Sequence, residues 1–305
     1  MHDTLAVDWS GILGEMSSSN VQIQAPSKIN LSLSVGAPNA DGMHPIVSKM
    51  VCLHYGDDLE VTRLDDGDLS RYAIFWHDDA KRKSPIDWPI TNDLGVRAHR
   101  MLEAEVGHPL PVQMKLQKRI PVGGGLGGGS SDAAAMLTAI AELFELDLDL
   151  ATIGASLGSD VPFLISGGSA IVSGVGEQVE PVNDDQRHLV IVIPDYGCPT
   201  GEVYDAFDVI GGGEIDLERV CNGELFNDLF DAACTVAGQL AEDYSTVRMV
   251  AEDDVHLSGS GSSMFVICDN AAHADALAQS IEESTTLVAI ATHTCVSTNV
   301  VEEKR

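Results

Sequence analysis

The sequence predicts an α+β fold with two domains. Its 305 residues, 44% of them hydrophobic, are enough to bury more than one core. Segments that alternate apolar and polar residues follow one another as in antiparallel hairpins, and the helical segments do not repeat in a regular βα order. This pattern favours α+β over a doubly wound parallel sheet. We expect an extension over 1–20, an N-terminal domain over 21–185 and a C-terminal domain over 186–305.

In the N-terminal domain, the first well-patterned strand is predicted around 28–35, where Lys28 and Asn30 share one polar face. An irregular, solvated excursion around one or two strands is predicted over 64–92, which is rich in acidic residues and contains two prolines. The remaining predicted strands cover 47–55, 58–63, 114–120 and 167–172, and the predicted helices cover 93–106, about 132–146 and 150–157.

The C-terminal domain is predicted to begin with a strongly apolar strand over 188–194. After that strand, helical and strand-like patterns alternate to the end of the chain. The predicted helices cover 201–209, 227–243 and 272–283, and the predicted strands cover 255–257, 264–268 and 287–297.

The most informative segment is 121–135, which carries six glycines in the seven positions 123–129. Glycine allows a backbone to pass close to a ligand because it has no Cβ atom. Ser130, Ser131 and Asp132 are the N-cap candidates for the alanine-rich helix that follows. Free N–H groups at the start of a helix attract anions, so the segment predicts a phosphate cradle.

Three other interpretations of the glycines are weaker. The string Gly123-x-Gly125-x-x-Gly128 satisfies the dinucleotide fingerprint, but the strand before it alternates apolar and polar residues, whereas a Rossmann first strand is buried on both faces. No lysine follows the glycines, so the P-loop pattern is absent. A flexible linker would be polar on both sides, whereas this segment joins a patterned strand to an apolar helix.

The composition excludes some classes of partner. The formal net charge is −30 and the pI is near 4.3, which argues against binding to nucleic acid or to an anionic membrane. Small anionic substrates are not excluded, because physiological salt limits the reach of exposed charges to about 8 Å. Lys115, Lys118 and Arg119 precede the glycines and form either a local basic cluster or a solvated strand face.

The six cysteines show neither C-x-x-C pairing nor short metal-ligand spacing, which indicates free thiols in a reducing cytoplasm. Residues 1–20 lack the basic and apolar regions of a signal peptide, and no apolar run approaches the length that spans a bilayer. We therefore expect a cytoplasmic protein without a membrane or nucleic-acid partner. The sequence leaves open whether it is a monomer or a homodimer.

Three separated motifs together resemble the GHMP kinase superfamily. Their order and spacing match that superfamily over nearly the whole chain after residue 20. The resemblance implies a nucleotide-binding N-terminal domain that contains a βαβ unit, a ferredoxin-like C-terminal domain and an active site between them. The three motifs are Ala25-Pro26-Ser27-Lys28-Ile29-Asn30-Leu31, the segment 121–135, and Leu257-Ser258-Gly259-Ser260-Gly261-Ser262.

Further strings resemble the branch of the superfamily that phosphorylates a cytidine-diphosphate-linked sugar alcohol. The resemblance implies ATP- and Mg²⁺-dependent phosphorylation of the 2-hydroxyl of 4-diphosphocytidyl-2-C-methyl-D-erythritol, a step of non-mevalonate isoprenoid synthesis. The strings include 40–44, 57–59, 158–163, 167–170, 174–177, 200–204 and 227–229.

The resemblance also implies the catalytic and ATP-binding residues. Asp160 would orient the acceptor hydroxyl and take its proton, and Lys28 would keep Asp160 ionised and stabilise developing charge. Judged without the resemblance, Asp160 is a helix cap and Lys28 a surface lysine. Ser130 or Ser131 could supply an oxygen to Mg²⁺, and the sequence does not choose between them. ATP would be held by Pro121, Val122, Gly123, Gly124, Gly125, Leu126, Gly127, Gly128, Gly129, Ser130 and Ser131.

The acceptor-binding residues implied by the resemblance include one departure. Met43 stands where the family usually has a tyrosine that helps to stack the cytosine. A thioether can contact an aromatic face with about 0.3–1.5 kcal/mol, although its platform is less defined. The implied set is Asn30, Met43, His44, Thr200, Ser258, Gly259, Ser260 and Gly261, of which the last four belong to a second glycine loop that could hold substrate phosphates or brace the first loop.

Two alternative functions remain at this stage. Met43 and an unexpected lysine at position 49 leave open a GHMP kinase with a different acceptor. A nucleotide-binding protein without turnover belongs to another class, and the presence of both Lys28 and Asp160 argues against it, because a binder alone does not need the pair.

Overall fold

The computed structural model describes residues 19–184, 186–211 and 213–295. The predicted extension over 1–20 therefore lies almost wholly outside the described residues. Within these ranges the chain forms two sheets. Their strands, in chain order, are β1 (Asn20–Val35), β2 (Ile46–Arg63), β3 (Arg71–Trp76), β4 (Val112–Lys118), β5 (Ser169–Gly174), β6 (Gln178–Pro181), β7 (His188–Ile193), β8 (Phe226–Asn227), β9 (His256–Leu257), β10 (Met264–Cys268) and β11 (Val288–His293).

The helices pack on these sheets, and a short 3₁₀ turn over Ile90–Asn92 precedes the first of them. In chain order they are α1 (Leu94–Val106), α2 (Gly128–Leu143), α3 (Leu150–Ala155), α4 (Val161–Ser166), α5 (Thr200–Ile210), α6 (Leu217–Cys221), α7 (Phe230–Val236), α8 (Leu240–Ala251) and α9 (Ala271–Ser284). None of the helices in this part of the chain has both the length and the apolar character needed to cross a bilayer.

The first sheet has the strand order β3-β4-β2-β1-β8, and β5 and β6 continue it from the other half of β2. Strand β2 pairs with β4 through Asp58–Arg63 and with β5 through Ile46–Val51. The prediction of two separate strands over 47–55 and 58–63 was wrong, because β1 runs antiparallel beside the whole of β2 and a register shift opposite Pro26 absorbs the extra residues. Strands β3 and β4 are parallel and are joined through α1, which gives the expected βαβ unit.

The second sheet is antiparallel with the order β11-β7-β10-β9. Its chain order of strand, helices, two strands, helix and strand is the β-α-β-β-α-β pattern of ferredoxin-like domains. The single helix predicted over 227–243 was wrong. Asn227 instead belongs to β8, which joins the edge of β1, and its side chain donates to the carbonyl oxygens of Leu257 and Gly259 at 2.9 and 2.8 Å.

An apolar cluster packs the first sheet directly against the second. It brings together side chains of β1 and β2 with side chains of β7 and β10, while helices α1 and α2 cover the opposite face of the first sheet. Because this core contains residues of both sheets, it does not mark a division of the chain, and the domain boundary near residue 186 stays a prediction. The members of the shared cluster are Ile29, Leu31, Val51, Leu53, Ile120, Leu126, Leu189, Ile191, Ile193 and Phe265.

The net charge of −30 predicts a stability that rises with ionic strength. Self-repulsion of like charges destabilises a compact chain, and KCl shortens the Debye length from about 30 Å at 0.01 M to about 8 Å at 0.15 M. We expect the melting temperature to rise by about 5 °C over this range, equivalent to about 2 kcal/mol. Differential scanning calorimetry measures the shift. Glucose at the same osmolality is the control, and an equal rise in glucose would contradict a charge-based cause.

Candidate active site

A cavity of about 770 Å³ lies between the first glycine loop, strand β1 and helix α5. Of the predicted ATP-binding residues, 121–130 line it, whereas Ser131 is buried behind its wall. The predicted residues Ser258 and Gly261 are also buried outside the lining. The other predicted residues that line the cavity are Lys28, Asn30, Met43, His44, Asp160, Thr200, Gly259 and Ser260.

The first glycine loop ends in a helix start that no side chain caps. Helix α2 begins at Gly128, and its N-cap residue is Gly127, whose φ is 72°. The predicted caps were therefore wrong. The left-handed conformation of Gly127 starts the helix early, so that all three candidates, Ser130, Ser131 and Asp132, fall inside it. The Ser131 hydroxyl donates instead to the Pro26 carbonyl at 2.7 Å. The uncapped N–H groups of α2 remain available to an anion.

The second glycine loop braces the first one. The Ser258 hydroxyl donates to the Gly125 carbonyl at 3.0 Å, and the backbone N–H of Ser263 donates to the Gly124 carbonyl at 3.1 Å. A Cβ atom at Gly125 would lie 2.4 Å from the Ser258 carbonyl oxygen. Of the two roles considered for the second loop, the contacts support bracing, and binding of substrate phosphates by Gly259 and Ser260 stays a prediction.

Lys28 and Asp160 form an ion pair at the cavity wall, with 3.4 Å between Nζ and Oδ2. The Lys28 side chain is only 6% exposed, and its ammonium also donates to Asn30 Oδ1 at 2.8 Å. The Asn30 amide donates in turn to the Ser48 hydroxyl at 2.7 Å, which fixes its oxygen toward Lys28. Asp160 stands at the N-cap position of α4, yet its carboxylate makes no capping hydrogen bond there. The carboxylate is therefore directed to Lys28 and the cavity.

An aromatic group forms the α5 side of the cavity. The Nδ1 atom of His44 lies 2.9 Å from the Gly36 carbonyl, which can only accept, so this nitrogen carries the proton. Its Nε2 atom lies 3.5 Å from the Asp208 carboxylate. The ring centroids of His44 and Tyr204 are 4.9 Å apart. Burial, and to a lesser extent the negative charge of the Asp160 carboxylate, raises the pKa of Tyr204 to about 12, so the phenol is neutral at physiological pH.

Behind the glycine loop, Lys118 is shared by two buried carboxylates. Its ammonium lies 2.6 Å from Asp57 and 2.5 Å from Asp132, and Asp57 also accepts the backbone N–H groups of Arg119 and Ile120. Burial opposes the charge of Lys118, but the two carboxylates raise its pKa above the ordinary value. Burial also raises the pKa of Asp132, and the neighbouring carboxylates reinforce this against the attraction of Lys118. The cluster ties α2 to the end of β4.

The basic cluster considered before the glycines does not form. Lys115 pairs with Glu60 at 3.2 Å, and Arg119 pairs with Asp58 at 2.8 Å. With Lys118 also engaged, each of the three cations is neutralised by a carboxylate of its own surroundings. In the described part of the chain, no group of three His, Cys, Asp or Glu side chains is suited to hold a metal ion.

Comparison with known proteins identifies the family. The model of the GHMP kinases N terminal domain matches residues 93–168. The chain is 34% identical over 265 residues to the 4-diphosphocytidyl-2-C-methyl-D-erythritol kinase of Paraburkholderia phytofirmans, covering 83% of this chain and 87% of the relative. The chain belongs to the 4-diphosphocytidyl-2-C-methyl-D-erythritol kinase family. The expected superfamily and enzyme class, a small-molecule kinase, are therefore confirmed.

Other members of this kinase family and of its superfamily agree. The enzyme of the same name from Pseudomonas putida is 34% identical over 262 residues, covering 83% of this chain and 86% of the relative. A crystal structure of 4-(cytidine 5'-diphospho)-2C-methyl-D-erythritol kinase superposes with a TM-score of 0.74 at 30% identity, covering 90% and 98% of the two chains. Homoserine kinase from Cytophaga hutchinsonii shares the fold, with a TM-score of 0.64, 15% identity and coverage of 93% and 96%. The predicted α+β fold is confirmed.

Sequence reasoning missed several residues of the cavity. Tyr204 and Asp208 lie one and two turns beyond Thr200 on α5, so helical spacing places all three on one face and could have found them. Trp88 was hidden in the irregular segment 64–92. No local signal connects Lys118 with Asp57 across 61 residues, because only the pairing of β2 with β4 brings them together.

We expect Gly125→Ala to damage the cradle far more than Gly107→Ala. Both glycines have a φ of 76°, but the Cβ position at Gly107 meets no atom within 4 Å. Gly107→Ala therefore measures the left-handed strain alone, about 1–2 kcal/mol, whereas Gly125→Ala adds the clash with the Ser258 carbonyl. Urea unfolding should show the larger loss for Gly125→Ala, and calorimetry should show its ATP affinity reduced at least about tenfold, or 1.4 kcal/mol. Equal effects of the two changes would contradict this close contact.

Proposed function

We propose that this chain transfers the γ-phosphoryl group of ATP to the 2-hydroxyl of 4-diphosphocytidyl-2-C-methyl-D-erythritol. The observation that carries the proposal is the Lys28–Asp160 pair, which lies in the same cavity as the uncapped start of α2. The names of the relatives support the acceptor. The free state of all six thiols suits a reducing compartment, and we place the enzyme in the cytoplasm.

The glycine loop is the phosphate site in this proposal. Backbone N–H groups at the start of α2, together with the helix dipole, provide donors for the phosphate oxygens. The close packing of the loop against Lys28 and Ser258 leaves its donors little freedom, and Cβ atoms at Gly127 and Gly125 would meet these two neighbours at 2.8 and 2.4 Å. Donors held in advance stabilise developing charge without a cost of reorganisation during the reaction.

Asp160 receives the proton of the attacking hydroxyl in this mechanism. Its carboxylate is 29% exposed and faces the cavity, so an acceptor hydroxyl can reach it. In a loose transition state the bond to the leaving oxygen is largely broken before the nucleophile loses its proton, and a carboxylate is then a sufficient acceptor. Orientation of the hydroxyl by Asp160 is an equal part of its role.

Lys28 stabilises the charges around the transferred group. Its ammonium is held by Asn30 and Asp160, which gives a buried cation two fixed partners. The Lys28 cation favours the ionised form of Asp160 and attracts the oxygens of the phosphoryl group. Because the Lys28 backbone N–H donates to the Leu126 carbonyl at 2.9 Å, the cation and the glycine loop keep a fixed relation.

Mg²⁺ fits this site as an ion carried mainly by ATP. Mg²⁺ usually keeps several waters and binds through substrate phosphates with one or two protein oxygens. Ser130 lines the cavity in the first turn of α2, whereas the Ser131 hydroxyl is engaged by Pro26. We therefore assign the serine oxygen near the metal to Ser130. The ion neutralises phosphate charge when bound.

The cytosine of the acceptor is placed at the aromatic end of the cavity. Tyr204 offers a ring face beside His44, and Met43 lies 52% exposed on the rim. A pyrimidine lying against Tyr204 would have the Met43 thioether and the His44 ring within reach. Thr200 and Ser260, whose hydroxyl oxygens are 3.0 Å apart, line the wall near this end.

With Mg-ATP, the unmodified enzyme should phosphorylate the cytidine-linked acceptor, and Asp160→Asn should lower kcat by about 10²–10⁴-fold, the range for loss of a general base. ATP affinity should change little, since the glycine loop is intact. Steady-state kinetics and calorimetry measure the two quantities. Asp205→Asn is the matched control, because Asp205 is an exposed aspartate on the same cavity rim. Full turnover by Asp160→Asn would refute its role, and turnover with homoserine or mevalonate alone would refute the acceptor.

Met43→Tyr should strengthen binding of the cytidine end. A second aromatic ring adds a pair interaction of about 0.5–1.5 kcal/mol, which is about a 2–10-fold lower KM for the acceptor. The KM for ATP should not change. Met43→Leu is the control that keeps an apolar side chain without a ring. Binding of cytidine diphosphate measured by calorimetry should follow the same order, and an unchanged affinity in Met43→Tyr would show that residue 43 does not contact the base.

A further inference from the structure

Two different sets of elements line the cavity beyond the two ends of the glycine loop. A Cβ atom at Gly127 would touch the Lys28 side chain, whereas one at Gly129 would lie 3.3 Å from Leu94 Cδ1 at the start of α1. The Lys28 side leads to Asp160 and to the α5 residues around His44. The Leu94 side leads to Trp88, which also lines the cavity and is partly exposed.

The segment that carries Trp88 is fastened to both sheets. After β3, the Trp76 indole N–H donates to the Ser84 carbonyl at 2.7 Å. The Lys81 ammonium then donates to Glu282 Oε1 on α9 at 2.8 Å and to the Ala289 carbonyl on β11 at 2.9 Å. Beyond Trp88, Asp93 caps α1 by accepting the backbone N–H groups of Gly95 and Val96. The loop that carries Trp88 is therefore anchored before Trp88 to α9 and β11, and after Trp88 to the start of α1, where Asp93 and Leu94 line the cavity.

The chemistry of this end suits an uncharged aromatic group better than a phosphate. Leu94, Ile120 and Val122 supply apolar surface. Among the described residues that line this side of the cavity, the cationic side chain is Lys118, and the carboxylates of Asp57 and Asp132 already neutralise it. Asp132, one of these two carboxylates, also belongs to the lining on this side, but its side chain is buried. Among the described residues that line this side, a phosphate would therefore meet no cation free to bind it, whereas the apolar side chains suit the face of an aromatic base.

The direction of the reaction then orients the nucleotide. In phosphoryl transfer, the attacking and leaving oxygens are roughly in line on opposite sides of the transferred group. With the acceptor on the His44 side, as the proposed function places it, the nucleoside of ATP lies on the Trp88 side. We propose that Trp88 is the stacking platform for the adenine base of ATP. The inference rests on the proposed function for its orientation.

Tryptophan fluorescence tests this directly in the full-length protein. The chain contains three tryptophans, and stacking of a base on Trp88 should quench its emission. ATP should quench the emission of the unmodified protein, whereas inorganic triphosphate should bind without quenching. Trp88→Phe keeps an aromatic face, so it should lose most of the quenching yet bind ATP within about threefold. Quenching that persists in Trp88→Phe would overturn the assignment.

Binding measurements separate stacking from a structural role. Stacking of a base contributes about 1–3 kcal/mol, so Trp88→Ala should raise the Kd and KM for ATP about 5-fold to 150-fold. Its affinity for inorganic triphosphate, its kcat at saturating ATP and its KM for the acceptor should match those of the unmodified protein. An equal loss of triphosphate and ATP affinity would show that Trp88 only supports the loop, and an unchanged ATP affinity would show that it does not stack.

These results are distinguishable from a failure of the proposed function. If the unmodified protein bound neither ATP nor triphosphate, the phosphate cradle itself would be wrong. If it bound both but used another acceptor, the comparison of ATP with triphosphate would still decide the role of Trp88.

Discussion

The burial of strand β1 on both faces is the constraint on which the site depends. One face belongs to the core shared with the second sheet, and on the other the Lys28 ammonium is inside the protein. A buried cation without partners is strongly unfavourable, so Lys28 must be compensated by fixed groups. Asn30, two residues along the same face, and Asp160, from the start of α4, are those groups. The fold thus produces a pre-arranged charge pair beside the glycine loop.

The glycine loop is held by the same packing. Leu126 belongs to the shared core and accepts the Lys28 backbone N–H, while Ser258 and Ser263 bind the loop from the second sheet. Behind it, the Lys118 cluster attaches α2 to the end of β4. Such a buried cluster adds little net stability compared with apolar packing, but removal of one partner leaves an unpaired buried charge. Its contribution is the position of α2.

A chain with a net charge of −30 is poorly suited to attract anions through its overall field. The site offsets this unfavourable field with local positive charge. Backbone N–H groups and the dipole of α2 supply partial positive charge, and the first turn of α2 contains no acidic residue that would neutralise it. The cations of Lys118 and Arg119, just before the loop, are instead paired with carboxylates. At physiological salt, screening limits the repulsion between the acidic surface and an approaching anion to short distances. An anionic nucleotide is therefore bound by main-chain geometry more than by net charge.

The sequence alone determined the α+β class, the glycine loop and the alternation of β1, because each is encoded by residues close together in the chain. Its three motifs also indicated the superfamily. Sequence reasoning misplaced the start of α2, which a left-handed Gly127 sets. It also divided β2 into two strands and merged β8, α7 and α8 into one helix, because the pairing of β2 and of Asn227 with β1 depends on residues far away in the sequence. Only the tertiary structure decided that Lys118 is neutralised, that Ser258 braces the loop and that Trp88 reaches the cavity, because these contacts join residues far apart in sequence.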